Sequence, residues 1–238
     1  MTTKAFIIAK KEIKLYLQSP LFYVFSASLL LITLWVFLST FFVNNQSTMD
    51  PLWNLLVFLF SLFIPAISMS TIAEEKKSGS WEVLLTLPVS EVDIVVGKFF
   101  SLFSFILIVM SLYLPMAITL LIIGQPDIGV LFTSFLSMIF LASAYLSCGL
   151  FASSLSSQPT TAFLISLIFL ILNTLLGQDS FLSYLPNFFQ KLVSFLSLSW
   201  HAQHLSQGLV SLSDLTFFLS WIAIFLTVTI LSIRLKRA

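Results

Sequence analysis

The chain has 238 residues, of which 58% are hydrophobic, 15% aromatic and 9% charged; its formal net charge is +1 and its mean hydropathy +1.06. A soluble domain carries about 25% charged residues, so a water-soluble globule, a disordered chain and a basic nucleic-acid binder are excluded together. The single cysteine, Cys148, excludes a disulfide framework and a multi-cysteine metal site, and its apolar run makes it a small buried thiol.

At the start of the chain, Phe6, Ala9, Ile13 and Leu17 recur at three- and four-residue spacing, while Lys10, Lys11 and Lys14 lie away from that stripe. Two readings fit: an interfacial amphipathic helix with its apolar face in lipid, or a basic flank that only sets topology. Six apolar runs follow, at about 21–43, 52–73, 99–123, 128–152, 160–177 and 215–233, none containing Asp, Glu, Lys or Arg. A hydrocarbon core takes about 20 helical residues to cross, and the backbone inside it must satisfy itself. The expected fold is therefore all-α: a polytopic membrane protein of six transmembrane helices, one domain over 1–238. The first run is too long for a signal-peptide core and no small-x-small cleavage site follows it, so it counts as a span. The fifth is the shortest, and Asn173 weakens it. Asn44, Asn45, Asp50 and Pro51, then Gly124, Pro126 and Asp127, then Ser156 to Pro159 mark the breaks between runs.

Between the second and third runs lies a charged loop, 74–98. Ser80 is placed to N-cap a short helix from Trp81 to about Leu87, ending before Pro88. Ser90 and Asp93 have capping-box spacing before Ile94. The loop's Trp81, Val83, Leu84, Leu85 and Leu87 exceed what a solvated loop should expose. They fit either a docking surface for another protein or an interfacial loop whose tryptophan sits at headgroup level. The stretch 178–214 after the fifth run is apolar, yet its pieces are too short or too polar to span, which suits re-entrant or interfacial helices.

With the N-terminus placed in the cytoplasm, ten of the eleven basic residues fall on that side and only Lys191 on the other. Both termini are therefore expected to be cytoplasmic. No catalytic constellation appears: Gly97-Lys98 is followed by Phe99 and lacks the earlier glycine of a phosphate-binding loop. His201 and His204 share a helix face, but Asp214 is distant in sequence, so they read as interfacial polar residues and no metal is expected. Spans without carboxylates or lysines disfavour a proton-coupled carrier. Ala144, Cys148 and Ala152, four apart, fit close helix packing.

The ordered series Glu74, Glu75, Gly79, Ser80, Glu82, Leu84, Leu85, Pro88, Val89, Ser90, Gly97 and Lys98 resembles the same stretch of type-two ABC exporter permeases. Trp81 stands where that family often has a smaller residue. Gly149, Leu150, Ser153, Ser154 and Leu155 resemble the family's fourth-span end, and Ser199, His201, His204, Gly208 and Asp214 the segment before the last span. Within that family the chain resembles the small six-span permeases associated with gliding motility and nitrous-oxide-reductase maturation.

The resemblance implies a permease of a bacterial inner membrane that pairs with a second copy or a sibling permease and binds separate ATP-binding subunits. ATP and magnesium would reside on those partners and no cofactor on this chain, which would not itself be an enzyme. The coupling surface would comprise Glu74, Glu75, Gly79, Ser80, Trp81, Glu82, Leu84, Leu85, Pro88, Val89 and Ser90, with Trp81, Leu84 and Leu85 as the apolar contact. Phe6, Lys10, Ile13, Lys14 and Leu17 would form the membrane-interface helix, and Trp200, His201, His204 and Gly208 an outer gate. The uncharged, Phe-rich interior suits a hydrophobic or amphipathic substrate. A self-contained channel or carrier and a non-transporting membrane scaffold are the alternatives, separated by whether the chain captures an ATPase.

Overall fold

The computed structural model of the protein describes residues 3–43, 48–86, 88–124, 126–183, 186–208 and 210–237. Among them the chain is all-α. It begins with α1 (Thr3–Gln18), α2 (Pro20–Leu38, continued by a π-helical turn Ser39–Val43), α3 (Asp50–Ser68), α4 (Ser70–Lys77) and α5 (Ser80–Thr86). Next come α6 (Glu91–Ser111), α7 (Leu114–Ile123), α8 (Ile128–Leu155) and α9 (Pro159–Leu176). Last are α10 (Asp179–Leu182), α11 (Asn187–Leu196), α12 (Leu198–Ser206) and α13 (Leu212–Arg237). Six stretches are long and apolar enough to cross a membrane: Phe22–Val43, Asp50–Lys77, Glu91–Ile123, Ile128–Leu155, Pro159–Leu176 and Leu212–Leu235. The expected six-span polytopic fold is the observed one.

The second and third spans differ from the sequence boundaries. Residues 74–77 and 91–98, assigned to a loop by their charge, are helical and extend the spans at that end. A helix ladder does not stop where apolarity does; it stops where a cap or a proline ends it. Ser90 supplies the start of α6 through the expected capping box: its Oγ accepts from Asp93 N at 3.2 Å, and its own N donates to Asp93 Oδ2 at 3.4 Å. Asp127 caps α8 by accepting from Gly129 N at 2.7 Å. Proline occupies the first turn of α2, α3, α7 and α9, where its missing N–H has no intrahelical partner to lose.

Two spans are interrupted, each by a proline. Pro65 within α3 is followed by a break at Met69, and Pro115 in the first turn of α7 by the turn at Leu112 and Tyr113 before it. The first break is mended from α8. Ser153 Oγ accepts from Ile72 N at 3.1 Å and Ala73 N at 3.0 Å, and donates to the Met69 carbonyl at 3.0 Å.

Helix α8 is the centre of the bundle, packed by α3, α4, α6, α9, α12 and α13. Ala144, Cys148 and Ala152 are all buried in it, as their spacing suggests. The tightest approach is one residue further on: a Cβ on Gly149 would lie 2.0 Å from Ser68 Oγ and 2.7 Å from Ser68 Cβ. Only glycine lets α3 and α8 meet there. Tyr145 and Thr174 share a hydrogen bond of 2.7 Å that joins α8 to α9, and Trp221 Nε1 donates to Cys148 Sγ at 3.2 Å from α13.

Candidate functional site

At the end of the bundle that carries both termini, α1 lies against the start of α6. Gly97 makes this possible, since a Cβ there would sit 2.9 Å from the Ala5 carbonyl oxygen and 2.9 Å from Ile8 Cβ. The face of α1 turned inward is Ala5, Ala9 and Glu12. The sequence stripe is rotated from it: Phe6 and Leu17 are exposed, Ile13 is half-buried, Lys10 and Lys14 are exposed, and Ala9 belongs to the packed face. Small residues win the contact because they let the backbones approach, and the larger apolar side chains are left outside.

One turn of packing further along stands Lys98, 1% exposed. Its Nζ lies 2.9 Å from Glu75 Oε1 and 3.3 Å from Glu12 Oε1, and donates to the Thr71 carbonyl at 2.6 Å. One ammonium therefore ties α1, α4 and α6 together. Three donors and three acceptors satisfy the lysine completely, but two carboxylates share one positive charge, and Glu75 Oε2 is buried with no hydrogen-bond partner. The excess negative charge is felt nearby: burial, and then the carboxylates of Glu12, Glu75 and Glu74, push the Tyr16 phenol well above its ordinary range. Glu12 and Lys98 as a buried pair escape sequence reasoning; the one available signal is a lone glutamate on the small-residue face of α1.

The link from α4 to α6 turns at Gly79, whose φ of +76° favours glycine. Helix α5 follows, but Ser80 does not cap it as expected. Ser80 is the first helical residue, and its Oγ donates to the Glu75 carbonyl at 3.3 Å, closing the end of α4 instead. Trp81, expected as an outward contact, is only 7% exposed and packs into the core beneath Lys76, whose Nζ stands 5.7 Å from the ring centroid. A large ring beside an apolar bundle loses more by facing water than by turning in. Leu84 and Val89 are half-buried against the same core. The outward face is instead Glu82, Val83 (64% exposed) and Thr86. Leu85 lies in α5, but its side chain, like the whole of Leu87, is outside the described residues. Glu74 and Pro88 are exposed; Lys4 donates to the Pro88 carbonyl, so α1 also holds the far side of this link.

At the opposite end, the stretch after α9 forms α10, α11 and α12. Asn173, which weakened the fifth span in sequence, fastens them: its Oδ1 accepts from Leu198 N at 2.9 Å and its Nδ2 donates to the Leu196 carbonyl at 3.3 Å. Ser134 and Ser137 of α8 donate to the carbonyls of Ser206 and Ala202 at 3.1 and 2.6 Å. Asp214, distant in sequence, comes into direct contact with both histidines. His201 Nδ1 lies 2.6 Å from Asp214 Oδ1 and His204 Nδ1 2.8 Å from Asp214 Oδ2. His201 Nε2 faces the Phe195 carbonyl at 3.0 Å. Both ring nitrogens of His201 thus face oxygen atoms, which fixes the orientation of the ring. Trp200 stacks on His204 with centroids 5.5 Å apart. Gly208 turns the chain at φ +91°, beside Val130. Among the described residues no group of three side chains is arranged to hold a metal ion.

Between α3, α8, α9 and α12 at this same end lies a cavity of about 660 Å³. The family model described as ABC-2 family transporter protein matches residues 6–238. The chain therefore belongs to the ABC-2 transporter membrane family, a permease type of ABC transporter. No curated protein matches it.

Proposed function

We propose that this ABC-2 permease is the membrane-spanning half of an ATP-driven exporter, with ATP hydrolysed on a separate chain. The observation that supports it best is the link from α4 to α6. A short helix with an exposed Glu82, Val83 and Thr86 face sits in the link between α4 and α6, two helices that Lys98 ties to each other and to α1. A push on α5 is then delivered to α1, α4 and α6 as one body, because moving any of them alone would strip a buried ammonium of its carboxylates.

In this reading Glu82 and Val83 meet the ATPase, and Trp81 fixes α5 to the permease. Basic residues clustered at the end that carries α1 and α5 support a cytoplasmic position for that end, with the spans in a bacterial inner membrane. Phe6 and Leu17, exposed on α1, rest in lipid with Lys10 and Lys14 at headgroup level. Apolar faces left open on α2, α9 and α13 suit lipid and a second permease, the same chain or a sibling. The Trp200, His201, His204 and Gly208 region closes the far end, and the substrate is hydrophobic or amphipathic. The small six-span permeases of gliding motility and nitrous-oxide-reductase maturation are the subgroup that fits this size.

The test is affinity purification of the tagged chain in mild detergent from its native cell. A co-purifying phosphate-binding-loop protein whose ATP hydrolysis responds to the permease supports the reading. A chain that conducts or carries solute with no such partner favours a self-contained channel or carrier.

A further inference from the structure

The cavity of about 660 Å³ at the end away from α1 changes from polar to apolar along α3. Asp50, Asn54 and Phe58 line it from one face of α3 at four-residue spacing, so carboxylate, amide and phenyl succeed one another over about 12 Å. Gln203 and Gln207 of α12 face them, with Gln178 from the end of α9. None of these four side-chain amides, nor the Asp50 carboxylate, has a hydrogen-bond partner among the described residues. No lysine or arginine lines the cavity among those residues either.

We infer that this cavity holds the headgroup of the exported amphiphile, and that the headgroup is uncharged and polyhydroxylated, of the glycosyl class. The inference rests on the exporter reading and adds a substrate class to it. Each amide offers both a donor and an acceptor, the pairing that a hydroxyl needs, and the carboxylate accepts from two hydroxyls. A phosphate or carboxylate headgroup would meet Asp50 with no compensating cation, at a desolvation cost. A quaternary ammonium would leave the amide donors without acceptors. Phe58, two turns along α3 from Asp50, offers an apolar wall that suits the first methylenes of an alkyl tail.

The experiment uses the full chain in lipid nanodiscs without nucleotide. Binding of radiolabelled decyl glucoside is compared with decyl phosphate and decyltrimethylammonium, all below their micellar concentrations. The expected result is glucoside binding about ten-fold tighter than either charged probe. Asn54→Leu and Gln203→Leu, which break no side-chain hydrogen bond among the described residues, are each expected to weaken it about five-fold. Equal binding of the three probes, a preference for a charged one, or glucoside binding untouched in both variants would overturn the inference. Because neither ATP nor a partner is needed, the two readings fail separately. Selective glucoside binding by a chain that captures no ATPase sinks the exporter reading, whereas ATPase capture with no glucoside preference sinks only the headgroup assignment.

Discussion

Lys98 and Glu12 are 86 residues apart in the chain, and their charged atoms are 3.3 Å apart in the fold. With Glu75 at 2.9 Å on the other side, the ammonium is the common point of α1, α4 and α6. Removing it leaves two carboxylates in a site with little water. Lys98→Met is expected to destabilise the protein by about 3–5 kcal/mol, read as a lower unfolding midpoint in nanodiscs. Adding Glu12→Gln and Glu75→Gln should restore much of that loss, because the repulsion disappears with the charge. Equal midpoints for the single and triple variants would contradict the electrostatic account.

Contact between Gly149 and Ser68 predicts a second effect. Gly149→Ala drives a methyl group to within 2.0 Å of Ser68 Oγ, and overpacking of this kind costs about 1–3 kcal/mol. Ser68→Ala should relieve little, since Ser68 Cβ alone would be 2.7 Å away, whereas Ser68→Gly should relieve most of it. A double-mutant cycle on the unfolding midpoint measures the coupling; additive losses would show that the helices separate instead.

The inward position of Trp81 divides the coupling segment into two kinds of residue. Glu82→Lys and Val83→Asp alter only the exposed face of α5 and should keep the wild-type midpoint while reducing permease-stimulated ATP hydrolysis about ten-fold or more. Trp81→Ala should instead lower stability by about 3–5 kcal/mol through a cavity in the core. Should Trp81→Ala keep full stability yet lose ATPase capture, the ring would have to face the partner.

Asp214 serves two histidines at once. Asp214→Ala strands His201 Nδ1 and His204 Nδ1 and is expected to cost about 3 kcal/mol, together with faster proteolysis within 186–208. Asp214→Asn retains one acceptor oxygen and should fall between wild type and Ala. Identical proteolysis of all three proteins would show that α12 is held by Ser134, Ser137 and Asn173 alone.

Much of this fold is legible in the sequence. Six runs of apolar residues specify six spans because a bilayer demands length and apolarity locally, one helix at a time. The capping box at Ser90 and Asp93, the cap at Asp127 and the prolines at helix starts are equally local, each resolved within four residues. Charge misled at 74–77 and 91–98, where polarity reads as loop yet the helix continues. Amphipathic spacing from Phe6 to Leu17 suggested a helix there but pointed to a different face from the one that packs, since close approach favours Ala5 and Ala9 over Phe6 and Leu17.

Pairing between distant residues was decided only by the tertiary structure. Nothing near Lys98 announces that Glu12 will neutralise it, and nothing near His201 and His204 announces Asp214. Asn173 looked like a flaw in a span until α11 and α12 folded back onto it. Trp81 looked like bait for a partner until the bundle offered it a core. The amino-acid sequence by itself determined how many times the chain crosses the membrane and where its helices start, because those depend on neighbours in the chain. Which charges meet, which ring is hidden and which polar groups are left facing a cavity depend on how α8 gathers the other helices, and only packing sets that.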